Sequence, residues 1–447
     1  MELNLYICCN IIINIGMWHK FRLYICIAFL TLFCITSCTR EYFDEDAYNN
    51  IVKEAFPVTN VDVNHDWQTI ETSDLDVNIN QTPGATYTIR VYEQNPEINT
   101  SVTVMAEGIA KDGKTFSTSL IHPTVDSTFY VARIDSDGYR EVKAEKVING
   151  KVSANFTTSD TYKYKEFNDI SYFSWRYVFE DAFPQPGDYD FNDMVMTVTR
   201  QADSRDPTIL YLTVSLDALG SMMPMAAAIH ISGLNPASVE SISSFQKFLF
   251  YKYSGVDKVK DDVDYTTGFN GDVVIPLFND AHYALSRGND IVNGSPSYYY
   301  YNTVKDASSP YYAYSKTANP ARVIYTIKCK SAEAVNNITS NTIDAFIITQ
   351  YNGSYWETHA APYKKYEVLY RYLNSNYQTA YTDNFPWALK VPGNFKYPTE
   401  GTPISKNRNG MNSGAYSTPN HSFGEWATNE NTAQDWYSYP NSSYVYE

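Results

Sequence analysis

The feature that most restricts the fold of this chain is a series of short strand-like runs separated by turn dipeptides. Apolar and polar residues alternate in Thr86–Tyr92, and similar runs follow it. Turn dipeptides separate several of them: Asp112-Gly113, Asp137-Gly138 and Asn149-Gly150. Such dipeptides supply the positive φ that tight hairpins require. Strands with turns roughly every eight to twelve residues predict a small β-sandwich over residues 75–160.

The remainder of the chain, residues 161–447, has longer and less regular β-rich runs. They are Tyr172–Phe179, Met194–Thr199, Ile209–Ser215, Ala226–Ile231, Asp272–Leu277, Val323–Lys328 and Asp344–Gln350. Long interruptions, such as 283–318, separate some of them. We therefore predict a mainly β chain, in which the small N-terminal β-sandwich is followed by a larger jelly-roll-like β-sandwich with long loops.

Residues 57–84 are polar, and we expect a loop there, anchored by Asp66-Trp67.

The first forty residues have the order of a secretory signal. Lys20 and Arg22 precede an apolar run, Leu23–Ile35, which ends in Thr36-Ser37-Cys38. The run is shorter than the roughly 20 residues of a membrane span. A cysteine in this position resembles the lipobox of bacterial lipoproteins. We expect residues 1–37 to be a signal peptide, with Met17 as the true start, and Cys38 to be lipidated. An uncleaved anchor helix is the alternative.

Residues 38–74 are predicted to form a lipid-anchored tether with a short helix that ends before Pro57. Its acidic patch, Glu41–Asp46, resembles the export signal of Gram-negative lipoproteins that reach the outside of the outer membrane. We therefore expect a membrane partner through the Cys38 lipid and a cell-surface location. The formal charge of −16 argues against nucleic acid as a partner. With Cys38 lipidated, only Cys329 remains after the leader, so no intrachain disulfide can form.

An acidic segment between two β-rich runs carries the most specific chemistry. Asp188, Asp190 and Asn192 are spaced by two, Asp193 follows, and Glu180-Asp181 lie just before them. Calcium takes six to eight oxygen ligands of these types. The segment departs from an EF-hand loop, because its sixth position is not Gly and its twelfth is not Glu. We predict a calcium site formed by these six residues. The alternative is that the side chains cap backbone groups in a turn.

Several segments, taken in order, resemble the LruC-domain family of bacterial surface lipoproteins. They are Glu180-Asp181 with Gly187–Val195, Leu216–Gly220, Ala226–Ile231, Ile275–His282, Glu357–His359, Phe385–Leu389, Phe395–Glu400, Ala415-Tyr416, Phe423–Ala427 and Asp435–Tyr437. The resemblance spans about 165–440. It implies a lipid-anchored surface protein with a β-rich fold and a calcium-type loop. Thr358–Pro362 departs from the family pattern, which leaves the role of that block open.

Three functions are compatible with the sequence. The first is non-catalytic binding or adhesion to a glycan or an extracellular host protein through exposed aromatic residues, for which the candidates are Tyr298, Tyr299, Tyr300, Tyr301, Trp356 and Trp387. Each of these could instead pack in the core. The second is a glycoside hydrolase, with Glu357 near His359 as a candidate acid, although structural pairing of the two is an alternative. The third is a structural subunit of a surface assembly.

Overall fold

The computed structural model describes residues 56–58, 61–99, 101–157, 164–167, 170–183, 187–252, 263–351, 354–362, 385–405 and 414–446. All of them belong to one compact unit, 51–447. The predicted leader, Cys38, the acidic patch Glu41–Asp46 and nearly all of the predicted tether helix lie outside the described residues. Within these ranges, no helix is both long and apolar enough to span a membrane.

Strands make up most of the described secondary structure. They are β1 Ile70–Ile79, β2 Thr86–Tyr92, β3 Thr103–Lys111, β4 Thr115–Pro123, β5 Thr128–Ile134, β6 Tyr139–Lys146, β7 Lys151–Phe156, β8 Tyr164–Lys165, β9 Ser171–Tyr172, β10 Ser174–Phe179, β11 Met194–Ala202, β12 Ile209–Ala218, β13 Ala226–Ile231, β14 Val239–Ser244, β15 Thr266–Thr267, β16 Val273–Phe278, β17 Ile291–Val292, β18 Ser295–Pro296, β19 Tyr300–Tyr301, β20 Ser315–Lys316, β21 Ala321–Cys329, β22 Ile343–Tyr351, β23 Ser354–His359, β24 Ala388–Pro392, β25 Ser417–Thr418 and β26 His421–Ser422.

The helices in these ranges are short. They are α1 Ala281–Leu285, α2 Ala332–Asn336 and α3 Phe423–Thr428, with 3-10 turns at Pro236–Ser238, Tyr312–Tyr314 and Trp436–Ser438. Each α-helix starts at a side chain that accepts a bond from the backbone, namely Asp280, Ser331 and Ser422. The prediction of a mainly β chain is therefore confirmed.

The N-terminal strands form two sheets around a common core. Sheet I has the order β4-β1-β7, and sheet II has the order β8-β6-β5-β2-β3-β9. Alternate residues of both sheets are buried together, for example Leu75 and Val77 of sheet I with Ile89 and Val131 of sheet II. This alternation is the one expected of strands with one face on a core, and it matches the predicted small β-sandwich.

One N-terminal prediction was wrong. The segment 57–84 is not a continuous loop, because it contains β1, which pairs antiparallel with β4 and parallel with β7. Leu75, Val77 and Ile79 alternate with polar residues and are all buried. The Asp- and Asn-rich composition of the segment hid this period-two pattern. The expected anchor at Trp67 is present, since its ring stacks against Phe423.

The C-terminal strands form a second pair of packed sheets. Sheet III has the order β14-β21-β12-β11-β10-β24, and sheet IV has the order β15-β16-β13-β22-β23. Trp175 and Tyr177 of sheet III are buried in one cluster with Ile229 and Ile347 of sheet IV. The Tyr177 hydroxyl donates a hydrogen bond of 2.6 Å to the carbonyl of Ile343. The two sheets therefore pack face to face, as in a β-sandwich.

The observed strands agree closely with the predicted runs, and Ala226–Ile231 has the predicted bounds. Prediction missed β14, β23 and β24 in this half. The buried core is continuous between the N-terminal and C-terminal sheet pairs. The domain boundaries proposed from the sequence, 74/75 and 160/161, remain predictions, although β1 already begins at Ile70.

An aromatic cluster from distant parts of the chain supports one end of sheet III. Phe56 lies 5.0 Å from Tyr189 and 4.6 Å from Phe385, measured between ring centroids. Phe423 of α3 contacts Phe191 and Trp426. All of these rings are buried. Such packing holds the connection between β10 and β11 against the C-terminal segment.

Candidate metal centre

The acidic segment is the connection between two paired strands. Phe179 of β10 lies opposite Met194 of β11, so Glu180 and Asp193 leave the sheet at the same end. The residues between them must fold back within a short span. The structure therefore brings together the carboxyl groups that the sequence spacing selected.

Glu180 is the buried centre of this loop. Its Oε1 accepts the backbone N–H of Phe191 at 2.7 Å, and its Oε2 accepts that of Tyr189 at 3.1 Å. A Cβ added to Gly187 would overlap Glu180 Oε2, so glycine is needed for this close approach. Both donors come from the loop that Glu180 precedes, which folds the loop around the carboxylate.

The loop backbone is held in an unusual conformation. Tyr189 and Phe191 have φ of 55° and 51°, in the left-handed region that non-glycine residues seldom occupy. Their rings are fully buried in the aromatic cluster. The alternating residues Asp188, Asp190 and Asn192 are left to project on the acidic side. The packing of the two rings therefore sustains a strained backbone that gathers oxygen atoms.

Three further carboxyls are fixed by hydrogen bonds. Asp190 accepts the N–H of Asn192 at 3.1 Å and the N–H of Gly401 at 2.8 Å. Asp193 accepts the N–H of Asp181 at 2.7 Å, and Asp181 accepts the hydroxyl of Ser221. These bonds fix the orientation of the carboxylates and leave each of them with unused lone pairs.

Glu400, which the sequence analysis missed, completes the cluster. Its backbone N–H bonds to the Thr303 carbonyl at 3.0 Å, and Thr303 also reaches its carboxylate at 3.4 Å. A Cβ on Gly220 would lie 2.7 Å from Glu400 Oε2 and would overlap Asn192 Oδ1. The two oxygens therefore converge on one place. No spacing in the sequence relates Glu400 to the loop 187–193. The one local signal beside it is Gly401, which indicates a turn.

Asn192 has a buried oxygen with no hydrogen-bond donor among the described residues. The side chain is fully buried, and its Nδ2 donates to the Pro398 carbonyl at 3.1 Å. Its Oδ1 accepts no hydrogen bond. A buried acceptor without a donor is costly, and native proteins rarely leave one. A cation would satisfy this oxygen.

The pKa values of the cluster are raised throughout. Burial raises the pKa of Glu180 well above its ordinary value, and the charge of Asp188 adds to the effect. The same two causes raise the pKa of Asp190 well above normal and that of Glu400 to about 9. Burial, followed by the charge of Asp181, raises the pKa of Asp193. Each shift reflects the expense of bringing like charges together away from water.

No described Lys or Arg forms an ion pair with any of these carboxyls. Carboxylate oxygens of Glu180, Asp188 and Asp190 lie within 4.8 Å of one another. Carboxylates with one amide oxygen are the donors preferred by hard cations, and the absence of nitrogen and sulfur donors disfavours zinc and copper. The residues present therefore fit calcium.

A second group of ligand types, His65, Asp66 and Glu430, does not make a comparable site. His65 Nδ1 accepts the N–H of Trp67 at 2.9 Å, and its Nε2 lies 2.9 Å from the Trp426 carbonyl. Both ring nitrogens are thus engaged with the backbone, and burial lowers the pKa of His65. The imidazole has no lone pair left for a metal.

The four tyrosines that were predicted to bind a ligand have different surroundings in the structure. Tyr301 is buried and donates a hydrogen bond to Asp290, whereas Tyr299 lies under the Lys316 ammonium. Tyr298 packs edge-on to His282. Tyr300 contacts Tyr311. These four tyrosines therefore do not share one surface.

The two predicted tryptophans lie together. Trp356 and Trp387 both pack edge-on to Phe183, with 5.5 Å between ring centroids in each case. Trp387 is fully buried, while Trp356 is partly exposed. Of this pair, only Trp356 offers ring surface to solvent.

Glu357 and His359 occupy the outer face of sheet IV, as neighbours on one face of β23. His359 Nδ1 lies 2.8 Å from Asp344 Oδ2, and its Nε2 lies 3.3 Å from Glu357 Oε2. Glu357 is 2% exposed. A glycosidase acid must reach its substrate, and a carboxyl buried beside an imidazole does not. The pair is therefore structural in this conformation.

Comparison with known proteins gives a family. A family model for a domain of unknown function, DUF4842, matches residues 208–437, slightly more than half of the chain. The chain belongs to the DUF4842 family. Its DUF4842 region includes Gly220 and Glu400, while the loop 187–193 precedes that region. No curated protein matches the chain.

Two solved structures are similar to this DUF4842 protein. One is a predicted lipoprotein from Bacteroides ovatus, at 15% identity and a TM-score of 0.49, covering 80% of this chain and 99% of that one. The other is the full-length major pilin SpaD from Corynebacterium diphtheriae, at 11% identity and a TM-score of 0.14, covering 74% and 82% respectively.

Proposed function

We propose that this protein is a lipid-anchored, outer-membrane surface protein that uses a calcium-stabilised β domain for non-catalytic binding or adhesion. Calcium joins the loop 187–193 to the end of β10, and Asp190 of that loop accepts the backbone N–H of Gly401 from the C-terminal segment. The ligand of the assembled surface is a glycan or an extracellular protein. The membrane is a partner through the lipid on Cys38, for which the leader sequence is the support.

The calcium part of the proposal rests on one observation. Asn192 Oδ1 is a buried acceptor that lacks a donor in the described structure. It lies beside Glu400 Oε2, in a cluster that also contains the buried carboxyls of Glu180, Asp190 and Asp193. If these side chains only capped backbone groups in a turn, each buried oxygen would have a donor and the carboxylate charges would be compensated. Six carboxyls with no basic partner among the described residues repel one another, and a divalent ion would reverse that repulsion.

The position of the site supports a structural use of the ion. Its ligands come from two regions of the sequence separated by more than two hundred residues, since Gly401 binds Asp190 directly. An ion held there closes a long loop and fixes the outer end of sheet III. Surface loops near it, including Tyr300 and Tyr311, would take their positions from the ion.

Calcium should raise the thermal stability of the full-length, detergent-solubilised protein. An ion that binds only the folded state stabilises it by about 2.7 kcal/mol when its concentration is one hundred times Kd. We expect the Tm to fall when EGTA replaces calcium. The variant Asp188→Asn, which changes an exposed carboxyl of the cluster, should reduce this difference. Measurement is by scanning calorimetry.

The matched control is Asp137→Asn, in an exposed turn of the N-terminal sandwich. Its Asn-Gly turn keeps the backbone preference of Asp-Gly, so it should show the wild-type response to calcium. If wild type and both variants have the same Tm in calcium and in EGTA, calcium has no part in the function of this chain.

A further inference from the structure

We infer that the acidic cluster binds two divalent cations, the second held by Asn192 Oδ1 and Glu400. This inference rests on the proposed function, because it concerns the same loop. The second ion occupies a separate position. It takes Glu400 as a ligand from the C-terminal segment, and the spacing of the loop residues does not predict that ligand. The chemical class of the ligand is a hard divalent cation, for which calcium is the probe.

The charge of the cluster exceeds what one divalent ion neutralises. Six carboxyls meet there, from the β10–β11 connection and from Glu400, and no basic side chain of the described structure pairs with them. One divalent ion would leave four formal negative charges in a largely buried region. Buried charge without a partner is strongly unfavourable. A second divalent ion would reduce the four remaining negative charges to two.

The oxygen atoms also divide into two groups. Glu180, Asp188 and Asp190 each place a carboxylate oxygen within 4.8 Å of the others, and Glu400 is not within that distance of all three. One ion can use the first three residues at once. Calcium–oxygen distances are about 2.3–2.6 Å, so two ligand atoms of one ion are at most about 5 Å apart. Glu400 therefore falls outside the compact set.

Glu400 has its own partner in the second group. Its Oε2 and Asn192 Oδ1 converge beside Gly220, where a Cβ would overlap the amide oxygen. The Asn192 oxygen is fully buried and accepts no hydrogen bond from the described residues. Thr303 directs its hydroxyl to the same Glu400 oxygen at 3.4 Å. These atoms form a second place at which oxygens gather, and the Asn192 oxygen there has no donor among the described residues.

Asp188 belongs to the first group. One of its carboxylate oxygens lies within 4.8 Å of those of Glu180 and Asp190, and it is the exposed member of that set. We therefore assign Asp188 to the first ion.

The test is the number of calcium ions bound by the full-length protein in detergent. Isothermal titration calorimetry and native mass spectrometry should both give two ions for wild type. Glu400→Gln should bind one, because the first group is intact. The control Glu97→Gln removes an exposed carboxyl of the N-terminal sandwich and should still bind two.

The outcomes separate this inference from the proposed function. A single ion in wild type overturns the second position but leaves the calcium-stabilised domain in place. No bound ion in wild type overturns both. Two ions in Glu400→Gln would show that Glu400 does not hold the second ion. The wild-type count decides the matter even if a variant fails to fold.

Discussion

The position of single residues decides whether the cluster can exist. The loop carboxyls were recognised from their spacing in the sequence, because alternate residues on a curled backbone can point the same way. The need for glycine at Gly220 could not be recognised, since it is set by the side chains of Asn192 and Glu400. Glu400 was missed for the same reason: its distance from the loop is short in space and long in sequence.

Substituting Gly220 should damage the cluster specifically. Its N–H bonds to the carbonyls of Asn192 and Asp193 at 2.9 and 3.2 Å, so the backbone cannot easily move. In Gly220→Ala the methyl group would displace Asn192 Oδ1. We expect a loss of about 1–3 kcal/mol in the free energy of unfolding, as for an overpacked site, and loss of most of the calcium response.

The control for this substitution is Gly233→Ala. Gly233 has φ of +74°, and no atom lies within 4 Å of a Cβ added to it. Alanine there therefore meets only backbone strain of about 1–2 kcal/mol. Denaturant unfolding with calcium and with EGTA should show an unchanged calcium increment for Gly233→Ala. An equally unchanged increment in Gly220→Ala would refute the placement of the ion beside Asn192.

At the scale of elements, sheet IV contains a charged network on its outer face. β13, β22 and β23 contribute His230, Asp344 and His359, and Glu357 adds a second carboxyl. Burial lowers the pKa of His359, but the charge of Asp344 and the hydrogen bonds to Asp344 and Glu357 outweigh it and raise this pKa to about 10. In its charged form, His359 donates to Asp344 and Glu357 from its two ring nitrogens and joins β22 to β23.

This network predicts a pH dependence with a defined sign. A histidine whose folded pKa is raised contributes stability that is complete below its unfolded value of about 6.5 and is lost as the pH rises toward 10. Asp344 has a lowered pKa, so its contribution is lost only in acid, below about 3.8. The stabilisation by His359 should therefore decline between pH 6.5 and 10.

The measurement is the difference in unfolding free energy between wild type and His359→Gln across that range. We expect wild type to be more stable at pH 6. The difference should shrink by a few kcal/mol by pH 10, because each pKa unit corresponds to about 1.4 kcal/mol. The comparison removes the opposite effect of Lys390, whose pKa burial lowers to about 8. A constant difference would mean that His359 is not charged in the folded protein.

Sequence periodicity was a good guide to most elements. Runs with apolar residues on both faces, such as β13 in the middle of sheet IV, have strong local signals and were located correctly. The strands that were not predicted have weaker local signals in the sequence. β14 is largely polar and lies at the edge of its sheet, and β24 follows a long segment without periodicity. Pairing with neighbouring strands, not local composition, makes these segments strands.

At the scale of the whole molecule, the tryptophans that the structure describes are used mainly for packing. Forty tyrosines and seven tryptophans suggested ligand platforms. Trp175, Trp387 and Trp436 are instead fully buried. The C-terminal segment docks on the outer face of sheet III through Arg176, which donates to the Phe395 carbonyl. Sequence alone could not distinguish these uses, because a buried and an exposed aromatic residue have the same local pattern.

The docked C-terminal segment explains why the acidic cluster lies where it does. Phe423 of α3 packs against Phe191 and Trp426, and the Gly401 N–H donates to Asp190 of the loop. In the proposed function, an ion would join two parts of the chain that already meet through buried rings. The fold alone brings the candidate ligands together.

Diffraction from crystals of the full-length protein grown with calcium tests this account most directly. Data collected at a wavelength where calcium scatters anomalously should show peaks inside the acidic cluster, one among Glu180, Asp188 and Asp190 and one beside Asn192 and Glu400. A well-ordered cluster at saturating calcium without any anomalous peak would contradict the account.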